Sequence, residues 1–326
     1  MFVKGDHMKV KEIMDTKPEF MIIGAAKSGT SSLAHFLNLH PAICPSTQKE
    51  VHFFDNPNNY HQGPEFYAKF FDKSADNAKL KQNCSHVVDA TPAYIRDPEI
   101  PSRLAAFFPP EILRRKKFIL VLRDPTSRDC SWYNHISGFC VMEVRDKLER
   151  NVTDPSYLCA DKRSDSGVPH CGQMGCREHV SNISIDTVNN VVFSLDEYIK
   201  TADYERYNSY YDVQLANWLT VVNRRQLFIV NMESLLHNTT EVAHSMFRFL
   251  GIDPYAIDPI SFPHTNPHHR NGCSCSGLES IHRAHERRGT TNKTNAIVNK
   301  LPKAHFEPVF YLLRDDAIVH KQCTVD

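Results

Sequence analysis

A glycine-containing segment near the start of the chain, "GAAKSGTSSL", has residue types suited to holding a phosphate. Gly24 and Gly29 have the spacing of a nucleotide-binding loop of the form G-x-x-x-x-G-K-[ST], but Thr30 stands where the lysine belongs. The lysine lies inside the loop instead, as Lys27. Backbone N–H groups at a turn from a strand to a helix, together with the positive end of the helix dipole, attract anions. The segment therefore predicts a phosphate-binding loop with its cation within the loop.

Hydroxyl side chains add donors to this loop. The residues that could contact the phosphate are Lys27, Ser28, Gly29, Thr30 and Ser31. The competing interpretation is an ordinary turn between a strand and a helix. The combination of lysine, glycines and hydroxyls directly after an apolar strand favours phosphate binding.

A second candidate phosphate site begins after the apolar stretch "KFILVL", in the segment "LRDPTSRDCSWYNH". Asp124 followed by Pro125 is a typical helix start, which leaves Arg123 at the carboxyl end of the preceding strand. Open α/β sheets bind ligands at this end of their strands. Ser131 follows about two turns along the helix, and an arginine with a nearby hydroxyl could hold a second phosphate. Arg123 could equally pair with a surface carboxylate.

The third candidate is "TQKEVHFFDNPNNYHQGPEFYAKFF", in which charged residues precede two phenylalanines. Glu50 and His52 are two residues apart, so their side chains share a face if the segment is extended. A glutamate held beside Lys49 and His52 could take a proton from a hydroxyl group as a general base. Taken alone, the same residues also fit an exposed charged turn.

A late basic segment, "HRAHERRGTT", contains Arg287, Arg288 and Gly289. A flexible basic turn could close over phosphate groups, because guanidinium groups bind phosphates through paired hydrogen bonds. A solvated run of charges is the alternative.

The composition is that of a globular protein with balanced charge. Lys plus Arg and Asp plus Glu both number 38, which argues against nucleic acid as a partner, although a local basic cleft would not show in this average. No apolar stretch reaches the ~18 residues of a membrane-spanning helix, so the catalytic domain itself is not predicted to span a membrane. The start, "MFVKGDHMKVKEIMDTKP", carries charges throughout and does not read as a signal peptide.

The ten cysteines suit disulfide bonds in an oxidising compartment. N-glycosylation sequons begin at Asn83, Asn151, Asn182, Asn238 and Asn292 and point the same way. The alternative is a cytosolic protein with reduced thiols. "HCGQMGCREH" does not have a typical zinc spacing, so disulfides are favoured over a metal site. If the protein belongs to such an oxidising compartment, this sequence is expected to be a catalytic domain that lacks its membrane-anchoring targeting segment.

Apolar stretches alternate with segments of helical spacing, which predicts an α/β fold. Buried strands are expected at residues 19–24, 85–90, 117–122 and 226–231, and helices around residues 33–37, 215–222, 242–250 and 306–313. Continuous apolar strands are typical of a parallel sheet covered on both faces. We therefore expect a P-loop-like, three-layer fold with a central parallel sheet flanked by helices.

The domain organisation follows from the same reading. After an N-terminal extension at residues 1–17, a single domain is expected over residues 18–326. Residues 138–190 interrupt the alternation with four cysteines and many small polar residues, which predicts a disulfide-stapled insertion. Residues 261–295 are a second irregular stretch, and long loops of this kind are often functional.

Together, these segments resemble the PAPS-dependent sulfotransferases, particularly the Golgi carbohydrate branch that acts on glycosaminoglycans. "GAAKSGTSSL" is similar to the 5′-phosphosulfate loop of that family, and "FILVLRDPTSRDCSWYNH" to its 3′-phosphate motif. "KEVHFFDNPNNYHQGPEFYAKFF" resembles the segment that carries the catalytic glutamate in heparan sulfate sulfotransferases, and "DATPAYI" the substrate-side segment that follows it. Many heparan sulfate enzymes have a lysine where this chain has Ala90. The "DATP" form and "HRAHERRG" are nearer to the chondroitin GalNAc 4-sulfate 6-O-sulfotransferases.

The resemblance implies transfer of the sulfuryl group of PAPS to a carbohydrate hydroxyl, on a sulfated glycosaminoglycan, with release of PAP and no metal. Glu50 is then the expected general base. Lys27 is expected to stabilise the charge that develops on the leaving phosphate. His52 and Lys49 would position the acceptor or the sulfuryl group, and Asp89 is expected to contact the acceptor.

The remaining nucleotide contacts implied by the resemblance are Arg123 and Ser131 at the 3′-phosphate, with Arg287, Arg288 and Gly289 closing over the nucleotide. A protein tyrosine or a small hydroxylated metabolite stays open as the acceptor. A P-loop nucleotide kinase and a glycan-binding protein without catalysis are the alternative functions. The Golgi lumen is the expected location, with secretion or the cytoplasm as alternatives.

Overall fold

A computed structural model describes residues 17–71, 84–151, 184–201, 209–257 and 275–288. The strands are β1 (Phe20–Gly24), β2 (Ile43–Pro45), β3 (His86–Ala90), β4 (Lys117–Leu122) and β5 (Leu227–Asn231). The α-helices are α1 (Thr30–Leu37), α2 (Pro57–Tyr60), α3 (Gly63–Ala68), α4 (Ile100–Phe107), α5 (Pro110–Leu113), α6 (Pro125–Glu149), α7 (Leu195–Tyr198), α8 (Tyr211–Trp218), α9 (Met232–His237), α10 (Thr239–Leu250) and α11 (Cys275–Arg288). Short 3₁₀ helices span Ile185–Val191 and Arg224–Gln226.

The described residues divide into two compact units. The first contains residues 17–71, 84–123 and 211–257, with all five strands. The second contains residues 124–151, 184–201, 209–210 and 275–288, with helices α6, α7 and α11. The expectation of a single domain over residues 18–326 stays a prediction.

The first unit is built on one parallel sheet with the strand order β2-β3-β1-β4-β5. Every neighbouring pair is parallel, and Phe20 of β1 lies opposite Val88 of β3 on one side and Lys117 of β4 on the other. The chain places β2 and β3 on one side of β1 and β4 and β5 on the other. The carboxyl end of β1 therefore lies at the point where the strand order reverses, which is where open α/β sheets bind ligands.

Helices cover both faces of this sheet. Ile119 and Val121 of β4 belong to a buried cluster that includes Phe36 of α1 and Phe247 of α10. Phe118, which alternates with them along β4, packs against Trp218 of α8, with ring centroids 5.4 Å apart. A strand buried on both faces requires apolar residues at every position, which explains the continuous "KFILVL" run. The predicted α/β fold with a central parallel sheet flanked by helices is confirmed.

The sequence predicted four of the five strands, and each lies within one residue of its expected bounds. β2 was not predicted, because a strand of three residues has no periodicity to detect. A disulfide bond between Cys44 of β2 and Cys84 joins this edge strand to the residues that precede β3. Cys130 and Cys140 each take part in a disulfide bond as well.

The second unit begins with the predicted helix start. The carboxylate of Asp124 accepts a hydrogen bond from the Ser127 backbone N–H at 2.7 Å, with Pro125 at the first helical position. Helix α6 then extends to Glu149. Residues 138–149 of the predicted disulfide-stapled insertion are therefore helical rather than irregular, and the insertion itself stays a prediction.

The reason is the spacing of buried residues on α6. Ile136, Cys140, Val144 and Lys147 are all buried and recur every three or four residues, as on one face of a helix. Cysteine and lysine at two of these positions concealed the helical pattern. Residues 152–183 and the predicted helix at 306–313 lie outside the described residues. None of the helices within the described ranges is long and apolar enough to cross a bilayer.

Candidate active site

The loop between β1 and α1 has the geometry of an anion-binding turn. Gly29 caps the helix in the left-handed conformation, with φ 81°, which disfavours any other residue there. The Ala25 N–H donates to the Val121 carbonyl at 2.8 Å, and the Arg123 guanidinium donates to the Lys27 carbonyl at 3.0 Å. The loop is thus held against the carboxyl end of β4, and its N–H groups precede the positive end of α1.

Two residues inside this loop point to a bound anion. Lys27 has φ 69°, a left-handed backbone that non-glycine residues rarely adopt and that concentrates at functional sites. The Ser28 hydroxyl is completely buried and has no hydrogen-bond partner among the described residues. A buried hydroxyl without a partner is costly, so a ligand oxygen at this position would stabilise it. The donor set of the loop therefore fits a phosphate-type group.

Polar side chains connect this loop to the predicted glutamate. The Lys49 ammonium donates to Ser31 Oγ at 2.7 Å and to Glu50 Oε1 at 3.1 Å. Glu50 Oε2 lies 3.4 Å from His52 Nε2. The structure therefore brings together the predicted residues Ser31, Lys49, Glu50 and His52.

The backbone that achieves this is not the extended segment that the sequence suggested. Glu50 has φ 59° and His52 has φ 49°, so both are left-handed. Their side chains share a face because of this irregular turn. Such a backbone requires support from neighbouring contacts, because non-glycine residues are strained there.

The electrostatics of this cluster keep both partners charged. Burial raises the pKa of Glu50, but the hydrogen bonds and positive charges of His52 and Lys49 outweigh it and lower the pKa to about 2. Burial lowers the pKa of His52, whereas hydrogen bonds and charges from Asp55 and Glu50 raise it to about 9. At neutral pH the cluster is therefore a carboxylate beside an imidazolium.

Asp55 is a site residue that the sequence reasoning did not identify. Its Oδ2 lies 2.7 Å from His52 Nδ1. An acidic residue three positions after a candidate histidine was the available signal, but a lone H-x-x-D spacing is too common to be informative.

Asp89 does not lie where a substrate-binding residue must. It is completely buried and accepts hydrogen bonds from the hydroxyls of Thr91 at 2.6 Å, Tyr67 at 2.8 Å and Tyr94 at 3.0 Å. Burial raises the pKa of Asp89 to about 6, although these three hydroxyl groups act to lower it. The expectation that Asp89 contacts the acceptor is therefore not retained, because protein hydroxyls already surround its carboxylate.

A cavity of about 350 Å³ opens beside Ser31 and Lys49. His35, Asn38, Ser46 and Ala90 contribute to its lining. The lining combines hydroxyl, amide and basic groups with small apolar side chains. This volume is at the small end of the range for ligand pockets and suits a single compact ring.

The other predicted nucleotide contacts are distributed over the two units. Arg123 is in the first unit, and Ser131 lies half-exposed on α6 in the second. Arg287 is exposed in the last turn of α11. The segment predicted to be a flexible turn is therefore helical as far as Arg288. The positive Arg287 side chain suits the negative end of the helix dipole. The Arg288 side chain and Gly289 lie outside the described residues.

A buried ion-pair cluster fixes α11 within the second unit. Asp129 on α6 accepts hydrogen bonds from Arg128 at 2.9 Å and from Ser209 at 2.6 Å, and His285 Nε2 of α11 lies 3.0 Å from its Oδ2. Burial raises the pKa of Asp129, but the contacts with His285, Arg128 and Ser209 lower it below its usual range. In the ranges that the structure describes, no group of three or more His, Cys, Asp and Glu side chains is arranged to hold a metal ion.

Known proteins are similar to this chain in sequence. The chain is 28% identical over 246 residues to human bifunctional heparan sulfate N-deacetylase/N-sulfotransferase 2, a match that covers 74% of this chain and 23% of that protein. It is 31% identical over 131 residues to human heparan sulfate glucosamine 3-O-sulfotransferase 5, covering 40% of this chain and 34% of that protein. The matched regions thus span only 23% and 34% of the length of these relatives.

The fold has a solved counterpart. A sulfotransferase from Alicyclobacillus acidocaldarius aligns with a TM-score of 0.50 at 20% identity, covering 89% of this chain and 98% of the other. This likeness concerns the fold alone. The model of the sulfotransferase domain matches residues 17–265, and the chain therefore belongs to the sulfotransferase family.

Proposed function

We propose that this chain transfers the sulfuryl group of PAPS to a hydroxyl group of a glycosaminoglycan. The contact of Lys49 with both Ser31, at 2.7 Å, and Glu50, at 3.1 Å, carries the proposal. It joins the helix that follows the anion-binding loop to a carboxylate that can accept a proton. A donor phosphate and an acceptor hydroxyl must meet at such a point for direct transfer.

The donor would be held by the loop after β1. The loop N–H groups, Lys27 and the buried Ser28 hydroxyl would bind its 5′-phosphate, and Arg123 with Ser131 would bind its 3′-phosphate. Arg287 would supply a further positive charge to the nucleotide. When bound, PAPS supplies the sulfuryl group and departs as PAP. Lys27 stabilises the negative charge that accumulates on the departing 5′-phosphate, and donors already oriented for that charge are effective because they need no reorganisation.

Glu50 is the general base in this proposal. With a pKa of about 2 it is ionised but weakly basic in the resting site. The Lys49 ammonium contributes to that low pKa and is half-exposed, so it can turn from Glu50 towards the sulfuryl oxygens. Loss of this contact raises the pKa of Glu50 and strengthens it as a base when the acceptor hydroxyl is present.

The cavity beside Lys49 suits a sugar ring of the acceptor. Lys49 gives it a positive charge that matches a carboxylate or sulfate group, while His35, Ser46 and Asn38 offer hydrogen-bonding groups to hydroxyls. Ala90 leaves space where a longer side chain would fill the cavity. The names of the heparan sulfate relatives support the same acceptor class.

The Golgi lumen is the compartment that fits this function. The Cys44–Cys84 disulfide supports an oxidising environment. Disulfide bonds form in the secretory pathway, and acceptor glycosaminoglycans with unsulfated hydroxyl groups would be met there. Detection of the native protein in Golgi fractions, with its sequons glycosylated, would test this placement.

The experiment is a transfer assay with ³⁵S-labelled PAPS and purified chain. Heparosan, N-deacetylated heparosan, desulfated heparin and chondroitin 4-sulfate are the glycan acceptors, and a tyrosine-containing acidic peptide and a small phenol are the alternatives. We expect label on at least one glycan, with transfer slowed by roughly 10²–10⁴-fold in Glu50→Gln. Label on the peptide or phenol alone would overturn the glycan acceptor. PAP binding without transfer to any acceptor would contradict the enzymatic function, and magnesium-dependent ATP hydrolysis would favour a kinase.

A further inference from the structure

The strained turn that carries Glu50 and His52 has an identifiable support. Both residues adopt the left-handed backbone, with φ 59° and 49°, which persists only when surrounding contacts impose it. Two backbone N–H groups at this turn contact side-chain hydroxyls of residues that follow β3. The His52 N–H lies 3.5 Å from Thr91 Oγ1, and the Phe53 N–H lies 3.2 Å from the Tyr94 hydroxyl.

Both of these hydroxyl groups are oriented by one carboxylate. Thr91 donates its proton to Asp89 Oδ1 at 2.6 Å, and Tyr94 donates to Asp89 Oδ2 at 3.0 Å. A hydroxyl has a single proton, so donating it to Asp89 leaves only lone pairs for the turn. Donation to Asp89 therefore points each hydroxyl proton away from the turn and leaves the oxygen's lone pairs facing the backbone N–H groups of His52 and Phe53.

An ionised carboxylate is required for this arrangement. With a pKa of about 6, Asp89 is ionised at neutral pH and can only accept hydrogen bonds. An amide in its place would present N–H donors to one of the hydroxyls. That hydroxyl could no longer donate its proton to this side chain, and a proton turned towards the backbone N–H would make a repulsive contact.

We propose that Asp89 is a positioning residue that holds Glu50 and His52 in their reactive geometry through Thr91 and Tyr94. This inference rests on the proposed function, because the geometry matters for catalysis only if Glu50 and His52 act on an acceptor. Asp89 itself contacts neither substrate. Asp89 is completely buried and acts on the backbone of the turn only through these two hydroxyl groups.

The chain provides a matched pair of variants for the test. Tyr67 and Tyr94 are both completely buried, and each donates a hydroxyl proton to the same Asp89 oxygen. Only the Tyr94 hydroxyl also accepts the Phe53 N–H. Tyr67→Phe and Tyr94→Phe therefore remove chemically equal bonds to Asp89, but only Tyr94→Phe releases the turn.

We expect Tyr94→Phe to lower kcat by about tenfold or more with an unchanged KM for PAPS, because small misplacements of reacting groups have large effects on rate. Tyr67→Phe should keep kcat within about twofold while still lowering the melting temperature, because it too removes a buried hydrogen bond to Asp89. Equal losses of kcat in the two variants, or no loss in either, would overturn the positioning role. Thr91→Ser should retain activity and Thr91→Val should lose it, and equal activity of these two variants would contradict the Thr91 route.

A second readout is independent of catalysis. Amide hydrogen exchange measured by NMR should become faster at Phe53 in Tyr94→Phe but not in Tyr67→Phe. Unchanged exchange at Phe53 in Tyr94→Phe would overturn the proposal even if the wild-type chain proved to have no transferase activity. Absence of transfer with the expected exchange pattern would instead contradict the proposed function and leave the support of the turn established.

Discussion

Asp55 Oδ2 lies 2.7 Å from His52 Nδ1, at the ring nitrogen that does not face Glu50. His52 is therefore bracketed by two carboxylates, one at each nitrogen, and both ring nitrogens donate when the ring is protonated. This bracket explains why His52 keeps its charge despite being 9% exposed. A fixed imidazolium in turn keeps Glu50 ionised and oriented.

The first prediction concerns the pH dependence of this bracket. Asp55→Asn removes one carboxylate, so the pKa of His52 should fall from about 9 towards its usual 6.5. The alkaline limb of the kcat profile should move to lower pH accordingly. NMR titration of His52 measures the change directly, with Asp196→Asn, an exposed aspartate in the second unit, as the control. An unmoved titration would contradict the role of Asp55.

The same shift determines how stability depends on pH. Because the folded-state pKa of His52 is raised, its stabilising contribution is fully present below pH 6.5 and is lost as the pH rises from 6.5 through 9. The lowered pKa of Glu50 gives a contribution that is present above pH 4.5 and is lost as the pH falls towards 2. Wild-type protein should therefore lose more melting temperature between pH 6.5 and 9 than Asp55→Asn does. Parallel curves for the two proteins would contradict this linkage.

The second prediction tests Glu50 as the proton acceptor. Glu50→Gln keeps the shape of the side chain but cannot take a proton, so kcat should fall by roughly 10²–10⁴-fold. Affinity for PAP, measured by calorimetry, should stay within about twofold, because the loop donors are unchanged. Glu111→Gln, at an exposed glutamate of α5, is the control for loss of a carboxylate. Turnover of Glu50→Gln near the wild-type rate would remove Glu50 as the base.

The third prediction concerns Arg123, which donates to the Lys27 carbonyl and is expected to bind the 3′-phosphate. Arg123→Ala removes both a charge-assisted ligand contact and a support of the loop, so PAP affinity should fall by roughly 10–100-fold. Arg114→Ala, at an exposed arginine, should leave it unchanged. Calorimetry at fixed ionic strength measures the PAP affinity of each variant. Equal PAP affinity in both variants would count against the 3′-phosphate assignment.

The sheet and the loop could be predicted from the sequence because local patterns specify them. "KFILVL" is apolar at every position, and its strand has the predicted bounds. Gly29 and Lys27 indicated a phosphate-binding turn, because glycine readily adopts the left-handed backbone of a tight turn and lysine supplies a positive charge.

The supporting residues could not be predicted, because their partners are distant in sequence. Asp89 looked like a polar residue at the end of a strand, where α/β proteins place ligand contacts. Its three hydroxyl partners are spread from Tyr67 to Tyr94 and become visible only when α3 and β3 are folded together. The left-handed turn at Glu50 and His52 likewise leaves no signature in residue types.

The fourth prediction concerns the Cys44–Cys84 disulfide, which closes the part of the chain that carries Glu50 and His52, with a sequence separation of 40. Cross-linking a loop of this length restricts the unfolded chain, so Cys44→Ala/Cys84→Ala should lower the free energy of unfolding by about 3–4 kcal/mol. The kcat of the folded variant should stay within about threefold at low temperature, since Phe53 remains packed against Tyr67, with ring centroids 4.4 Å apart.

Urea unfolding of the double variant and the wild type measures the stability change, and thiol titration of the wild type verifies the bond. Cys44→Ala also lacks the disulfide but keeps Cys84 as a free thiol, so its comparison with the double variant isolates the effect of removing the buried Cys84 side chain. Equal unfolding midpoints for wild type and double variant would show that the bond does not constrain the unfolded chain. A large fall in kcat with little loss of stability would mean instead that the disulfide fixes the turn around Glu50 directly, in place of the contacts from β3.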